Sequence, residues 1–206
     1  MTTRDLAVQE RRAFADLLET LTPEEWTAPS LCGRWTVRDV AVHVVSYDPL
    51  GWSGLPAAFL RGGLRVDSVN AHVLRQYDDL GPDEVAALVR RHVEPRGLTS
   101  SLGGAIALTD GMIHQQDVRR PLGRPREIPA EALHTALGLA LRAPTVPGRQ
   151  NARGLHLVAT DTGWEHGRGD RVEGPAEALL MAVAGRADAL GELSGPGTST
   201  LAARLA

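Results

Sequence analysis

Two carboxylates and a histidine lie close together in the stretch TDGMIHQQDVRRPLG, residues 109 to 123. Asp110, His114 and Asp117 would share one face of a helix, because residues four and seven apart differ by only about 40° and about 20° around its axis. Divalent metals bind imidazole nitrogens and carboxylate oxygens at about 2 Å, and residues four apart can supply two such ligands. A third ligand must come from another helix, where His43 is the best candidate.

The spacing of these residues leaves two interpretations open. One is a metal site. The other is a solvated acidic helix face together with a His43 that is an ordinary core histidine with a hydrogen-bond partner. The remaining histidines stand among charged or turn residues, which favours surface positions for His72, His92, His134, His156 and His166.

The helix that must position His43 has clear ends in the sequence. Thr36 can cap its N-terminus, and Asp39 follows in the first turn. Valine and alanine then form an apolar stripe over residues 37–45, until Asp48 and the proline after it stop the helix. His43 lies beside this stripe.

Most of the remaining chain has the apolar spacing of amphipathic helices joined by short polar or glycine-containing turns. These helices are predicted at residues 4–20, 54–61, 66–79, 83–94, 100–118 and 130–142. Helices joined by short turns are typical of an up-and-down bundle, in which a site is built from side chains on facing helices. We therefore predict a helical domain over residues 1–142.

The composition changes after residue 142, where a connector rich in proline and glycine begins. The sequence pattern predicts two short strands joined by a turn, at residues 155–161 and 163–170. It also predicts an apolar helix at residues 174–190. We predict a small α+β domain over residues 143–206.

Composition excludes several function classes. The 206 residues carry 22 basic and 25 acidic side chains, so no basic excess favours nucleic acid as a partner. No apolar stretch is long enough for a membrane span and the N-terminus is charged, so we expect a cytoplasmic protein. Cys32 is the single cysteine, which excludes an internal disulfide.

Two stretches, SLCGRWTVRDVAVHV at 30–44 and TDGMIHQQDVRRPLGRP at 109–125, resemble the DinB-like superfamily, and within it the actinobacterial mycothiol-dependent maleylpyruvate isomerase family. RVEGPAEALLMAVAGR at 171–186 is similar to the C-terminal domain of that family. The resemblance implies a mainly α protein, with a DinB-like up-and-down four-helix bundle followed by a small α+β, sterol-carrier-protein-like unit. It implies a small-molecule substrate and leaves the oligomeric state open, a homodimer included.

The resemblance also implies roles for individual residues. His43, Asp110 and His114 become ligands of a divalent metal, expected to be zinc, although the isomerase has a glutamate where this chain has the shorter Asp110. Arg186 matches an arginine expected to bind an anionic substrate. Asp117 is expected to orient a neighbouring ligand rather than to bind the metal, because carboxylates beside ligand imidazoles commonly fix their tautomers.

The function expected on this basis is that of a metal-dependent isomerase or transferase that uses mycothiol as cosubstrate on a small electrophile. A metal stabilises the thiolate, which is the attacking form of a thiol. The alternatives are a non-catalytic small-molecule-binding protein and a metal hydrolase that needs no thiol.

Two further groups of residues have alternative interpretations. Cys32 is either a reactive thiol near a helix start or a packing residue, and we favour packing. Four arginines, at 119, 120, 124 and 126, are either solvated side chains near a helix C-terminus or a group that binds carboxylates of the substrate or the thiol cofactor.

Overall fold

The computed structural model describes residues 1–33, 35–48, 66–143 and 145–206. The chain divides into two compact units, Met1–Pro125 and Arg126–Ala206. The predicted helix at 54–61 lies outside the described residues. Within the described ranges, no helix combines the length and apolar character that crossing a membrane requires.

The regular elements in the described part of the first unit are helices. The α-helices found there are α1 (Thr3–Leu18), α2 (Pro23–Thr27), α3 (Val37–Ser46), α4 (Val66–Leu74), α5 (Pro82–Arg91) and α6 (Ser101–Arg119). Short 3₁₀ turns follow α4 at Arg75–Tyr77 and precede α6 at Gly97–Ser100. The helices predicted from apolar spacing are therefore found in the described ranges, with ends shifted by a few residues.

Capping boxes fix where the helices begin. At α3 the backbone N–H of Asp39 donates to the Thr36 hydroxyl at 3.3 Å, and the Thr36 N–H donates to the Asp39 carboxylate at 2.9 Å. Two otherwise unpaired N–H groups of the first turn are thereby satisfied. Thr2 with Asp5 and Thr22 with Glu25 form the same arrangement at α1 and α2.

Four of these helices form the framework of the unit. Both α1 and α3 pack against α5 and against α6, so each helix of one pair contacts both helices of the other. The interior is apolar and closely packed, and includes Phe14, Leu18, Val40, Val85 and Val118. This packing brings the helix that carries His43 against the helix that carries Asp110 and His114.

A buried ion pair joins α1 to the end of α3. Arg11 and Asp48 are each 1% exposed, and the guanidinium contacts the carboxylate at 2.6 and 3.1 Å. Arg11 also donates to the carbonyl oxygens of Val44 and His92, and the Thr99 hydroxyl donates to Asp48. The network therefore satisfies one carbonyl near the C-terminal end of α3 and another just after α5.

The first turn of α6 differs from the predicted regular helix. Leu102, Gly103 and Gly104 have φ values of 54°, 68° and 89°, in the left-handed region. At Gly104 a Cβ atom would lie 3.0 Å from the Cα of Arg4, so a side chain there would crowd α1. Asp110 and His114 lie further along, in the regular part of α6.

The second unit combines helices with one small sheet. Its elements are α7 (Ala130–Ala140), α8 (Gly148–Asn151), β1 (Leu155–Ala159), β2 (Glu165–Gly167), β3 (Asp170–Gly174), α9 (Ala176–Val183), a 3₁₀ helix at Ala187–Glu192, and α10 (Thr198–Leu205). β1 is central, antiparallel to β2 and parallel to β3. The mainly α fold with a small α+β C-terminal part is confirmed.

Three elements of the second unit were not predicted. One is α8, which lies in the stretch predicted as a connector rich in proline and glycine. Within β3 only Val172 and Gly174 are buried, and the strand also contains exposed charged residues. Its sequence therefore lacks the alternation of apolar and polar residues that predicts a strand. α10 is short, and Leu201 is its buried residue. The predicted helix at 174–190 is α9 followed by the 3₁₀ helix, with Gly185 at a φ of 99° between them.

The two compact units meet after Pro125, whereas the sequence predicted a domain boundary after residue 142. α7 belongs to the second unit, where it packs against α9. Its buried apolar face made it resemble one more helix of the bundle, and apolar spacing alone does not say which partner covers such a face. The assignment of 1–142 and 143–206 as domains stays a prediction.

Candidate metal centre

The candidate centre is built where α3 meets α6. The imidazole rings of His43 and His114 lie edge to face, with centroids 4.8 Å apart and an interplanar angle of 82°. Trp35, just before α3, contacts both rings, with centroid distances of 4.8 Å to His43 and 6.1 Å to His114. Trp35 therefore covers the two histidines directly.

The three predicted ligands converge on one point. Oδ1 of Asp110 lies 3.6 Å from Nε2 of His43 and 3.5 Å from Nε2 of His114. One ligand atom from each residue lies within 4.8 Å of the other two. Ligands bound tetrahedrally at about 2 Å lie roughly 3.3 Å from one another, so this donor set fits a zinc-sized cation with small adjustments.

The shorter carboxylate of Asp110 reaches the centre. It approaches both imidazoles at nearly equal distances, although it has one methylene fewer than glutamate. The two histidines are each 9% exposed, whereas the Asp110 side chain is 34% exposed. Solvent therefore reaches the centre on the Asp110 side, which is the geometry of an accessible site rather than a closed one.

Asp117 lies behind His114, away from Asp110. Nδ1 of His114 donates to Oδ2 of Asp117 at 2.9 Å, and Asp117 is fully buried. This hydrogen bond places the His114 proton on Nδ1 and leaves Nε2 as the nitrogen that faces Asp110. The geometry is the one expected of a carboxylate that orients a ligand imidazole.

Mutual charge shifts the titration of the centre. Burial by itself raises the pKa of Asp110, but the His114 and His43 imidazoles outweigh it and lower this pKa far below the usual 3.8. Burial by itself lowers the pKa of His114. The charge of Asp110 and hydrogen bonds to its neighbours outweigh burial, so the pKa of His114 lies well above 6.5. A cation bound here would replace the proton as the positive partner of Asp110.

The two ring nitrogens of His43 have different surroundings in the described part of the chain. Its Nδ1 is buried and has no hydrogen bond among the described residues, while Nε2 faces Asp110.

Cys32 lies closer to this centre than its position in the sequence suggested. Its sulfur is within 4.8 Å of ligand atoms of both His114 and Asp117, and it forms a hydrogen bond with His114. The backbone N–H of Leu31 donates to the Asp117 carbonyl at 3.0 Å, which ties the loop to α6. Cys32 is half-buried and also packs on the apolar core, as the packing interpretation expected.

Two of the four arginines near the C-terminal end of α6, Arg119 and Arg124, make contacts within the first unit. Arg119 donates to the Gln115 side chain and to the carbonyls of Ala13 and Arg124. Arg124 forms a two-pronged ion pair with Glu25, at 2.8 Å on each side. These contacts favour the structural interpretation for both arginines over carboxylate recognition.

Arg186 lies in the second unit, between α9 and the 3₁₀ helix. Its guanidinium donates to the Ala184 carbonyl oxygen at 2.7 Å. Its expected role in binding an anionic substrate stays a prediction.

Sequence reasoning missed Tyr47. Its ring lies edge-on to His43, with centroids 5.8 Å apart. Tyr47 stands four positions after His43, so helical spacing alone could have placed the two side chains together. Of the described histidines, only His43 and His114 belong to a group able to hold a metal.

Known structures share this fold. A crystal structure of the mycothiol-dependent maleylpyruvate isomerase superposes with a TM-score of 0.56 at 13% identity, covering 95% of this chain and 92% of that one. The structure of a histidine-to-alanine mutant described under the same enzyme name gives a TM-score of 0.54 at 14% identity, with the same coverage. At these identities the matches show the fold alone. No curated protein sequence matches the chain.

The family follows from a match over most of the helical part. The model described as mycothiol maleylpyruvate isomerase N-terminal domain matches residues 7–133, which include α3, α6 and all three residues of the candidate centre. This match covers more than half of the 206 residues. The chain therefore belongs to the mycothiol maleylpyruvate isomerase N-terminal domain family.

Proposed function

We propose that this protein is a zinc-dependent enzyme that uses mycothiol as cosubstrate to isomerise, or to transfer a thiol to, a small electrophile. The observation that carries the proposal is the convergence of two imidazole nitrogens and one carboxylate oxygen on an accessible point. Two imidazoles and one carboxylate form a known donor set of catalytic zinc, which keeps a further position for substrate or water.

The residues present fit such a cation. His43, Asp110 and His114 would hold it, and Asp117 would keep the His114 ring in the orientation that ligation needs. A bound divalent cation supplies stabilisation of the thiolate form of a thiol near neutral pH. The protein supplies the rigid placement of the ligands, because α3 and α6 pack directly against each other.

The walls of the centre suit a small organic cosubstrate. Trp35 and Tyr47 flank His43 with aromatic surface, while Asp110 stands where solvent enters. Aromatic walls with a few polar groups are typical of small-molecule sites. Since the structurally similar enzyme is named for maleylpyruvate, that compound is the first substrate to test.

The test is a comparison of turnover with and without the thiol. We expect zinc-loaded protein, purified without an affinity tag, to isomerise maleylpyruvate only when mycothiol is added, and to lose this activity on chelation. Chelator-sensitive activity that does not need mycothiol would contradict the thiol role and point to a metal hydrolase. Stoichiometric zinc without any turnover would point to a binding protein.

Matched variants connect the activity to the centre. His43→Ala and His114→Ala should each lose both zinc and turnover, because each removes one of three ligands. His166→Ala is the control, since His166 is exposed and stacks on Trp164 in the second unit. Wild-type zinc stoichiometry in both ligand variants would show that the ligand assignment is wrong.

A further inference from the structure

Tyr47 lies at the candidate centre but is not one of its ligands. It is the C-cap residue of α3, one turn beyond His43, and its ring meets the imidazole edge at an interplanar angle of 83°. Its side chain is only partly buried. Tyr47 therefore offers the centre a polar group beside a ligand imidazole.

A second helix holds this tyrosine in place. The Tyr47 hydroxyl donates a hydrogen bond to Oδ1 of Asn70 on α4. The ring packs against Val69 and Val73 of the same helix, both of them 1% exposed. A side chain held at its ring and at its hydroxyl loses little freedom when a ligand binds, which is the condition for an effective positioning group.

Tyr47 and Asp110 both neighbour the His43 imidazole. The Tyr47 ring meets it edge-on, and Oδ1 of Asp110 lies 3.6 Å from its Nε2. Asp110 is the side chain through which solvent reaches the centre, so a substrate that enters there meets a ligand imidazole that Tyr47 also contacts.

We propose that Tyr47 positions the electrophilic substrate by donating a hydrogen bond to its carbonyl oxygen, and that Asn70 holds the phenol when no substrate is bound. The inference rests on the proposed function, whose first test substrate, maleylpyruvate, has a reactive C=C bond conjugated with a carbonyl group. In such a compound the carbonyl oxygen is the atom on which charge develops.

The chemistry explains why such a donor would matter. As the C–S bond forms, the π electron pair of the C=C bond moves toward the carbonyl oxygen, and its return expels the thiolate and restores the double bond. A neutral donor at that oxygen stabilises the developing charge more strongly than it stabilises the uncharged substrate. Loss of the hydroxyl should therefore lower kcat more than it raises KM.

The kinetic test compares Tyr47→Phe with Tyr77→Phe. Tyr77 is the matched control, because it is also half-buried and packs against Val69 and Val73. With maleylpyruvate and saturating mycothiol, we expect Tyr47→Phe to lower kcat by about 10- to 100-fold, the usual effect of a hydrogen bond to a charged group. Its KM should change much less, and its zinc content should equal that of wild type. Tyr77→Phe should match wild type.

A second readout does not depend on turnover. Pyruvate carries the same kind of carbonyl group but has no C=C bond to react. In zinc-loaded wild type and Tyr77→Phe, the infrared carbonyl stretch of bound pyruvate should shift to lower frequency than in Tyr47→Phe. An identical stretch in all three proteins, absence of pyruvate binding to wild type, or loss of zinc in Tyr47→Phe would each overturn the inference. If wild type shows no thiol-dependent turnover, the proposed function fails, whereas the carbonyl stretch still decides the role of Tyr47.

Discussion

At the scale of single residues, the candidate centre depends on how His114 is held. One nitrogen faces Asp110 at 3.5 Å and the other donates to the buried Asp117 at 2.9 Å. The carboxylate of Asp117 keeps the ring from rotating and makes its free nitrogen a better ligand. Asp117 should therefore contribute to metal affinity without touching the metal.

The change that tests this role is Asp117→Asn. We expect it to weaken zinc binding by about 10- to 100-fold, the usual cost of losing the partner of a ligand imidazole, while leaving one zinc bound at saturation. Competition with a chromophoric chelator measures the dissociation constant. Asp79→Asn is the control, because Asp79 is exposed and lies outside the groups able to hold a metal. Equal zinc affinity in the two variants would mean that Asp117 serves the fold alone.

Residue spacing predicted that Asp110 and His114 share one helical face, but it could not predict what lies opposite that face. The four-residue step from Asp110 to His114 correctly indicated one helical face, since both reach the same point. Spacing could not decide between a solvated face and a site, because that depends on which helix packs opposite. The proximity of Cys32 to His114 was also not predictable, since it depends on how the loop before α3 folds back onto α6.

At the scale of elements, the ends of α3 matter because this helix carries His43 and Tyr47. Its start was readable from Thr36 and Asp39, which form the capping box. Its far end is held by Arg11, which comes from α1 and contacts both Asp48 and the Val44 carbonyl. That contact joins residues 37 positions apart, so no local pattern could have predicted it.

The buried ion pair should be important for stability. Arg11→Leu leaves the Asp48 carboxylate buried without its cation, so we expect the free energy of unfolding to fall by about 3 to 5 kcal/mol. Urea unfolding followed by circular dichroism measures the loss. Arg90→Leu is the control, because Arg90 pairs with Asp16 and Glu19 at the surface and is 38% exposed. Exposed pairs contribute about 0 to 1 kcal/mol, so similar losses in the two variants would contradict a special role for the buried pair.

At the scale of the whole molecule, helices were easier to predict than their grouping. Apolar spacing found α1, α3, α5 and α6, because each buries one face against the same core. The same spacing in α7 did not reveal that its partner is α9 in the second unit. β3 was missed because it pairs in parallel with β1 through backbone hydrogen bonds and carries few apolar side chains.

The family membership and the geometry of the candidate centre lead to the same interpretation of the helical unit. The family model spans the helices that carry His43, Asp110 and His114. In the structure these three side chains meet at one accessible point, although His43 lies on another helix, far in the chain from the other two. A metal centre open to a thiol is thus the central claim.

The most direct measurement is the zinc X-ray absorption spectrum of the loaded protein, recorded with and without mycothiol. Without the thiol, we predict only nitrogen and oxygen neighbours at about 2.0 to 2.1 Å, in agreement with two imidazoles and one carboxylate. With mycothiol, one sulfur neighbour should appear at about 2.3 Å. A sulfur neighbour already present without mycothiol, or none after its addition, would contradict a centre of His43, Asp110 and His114 that is open to the cosubstrate thiol.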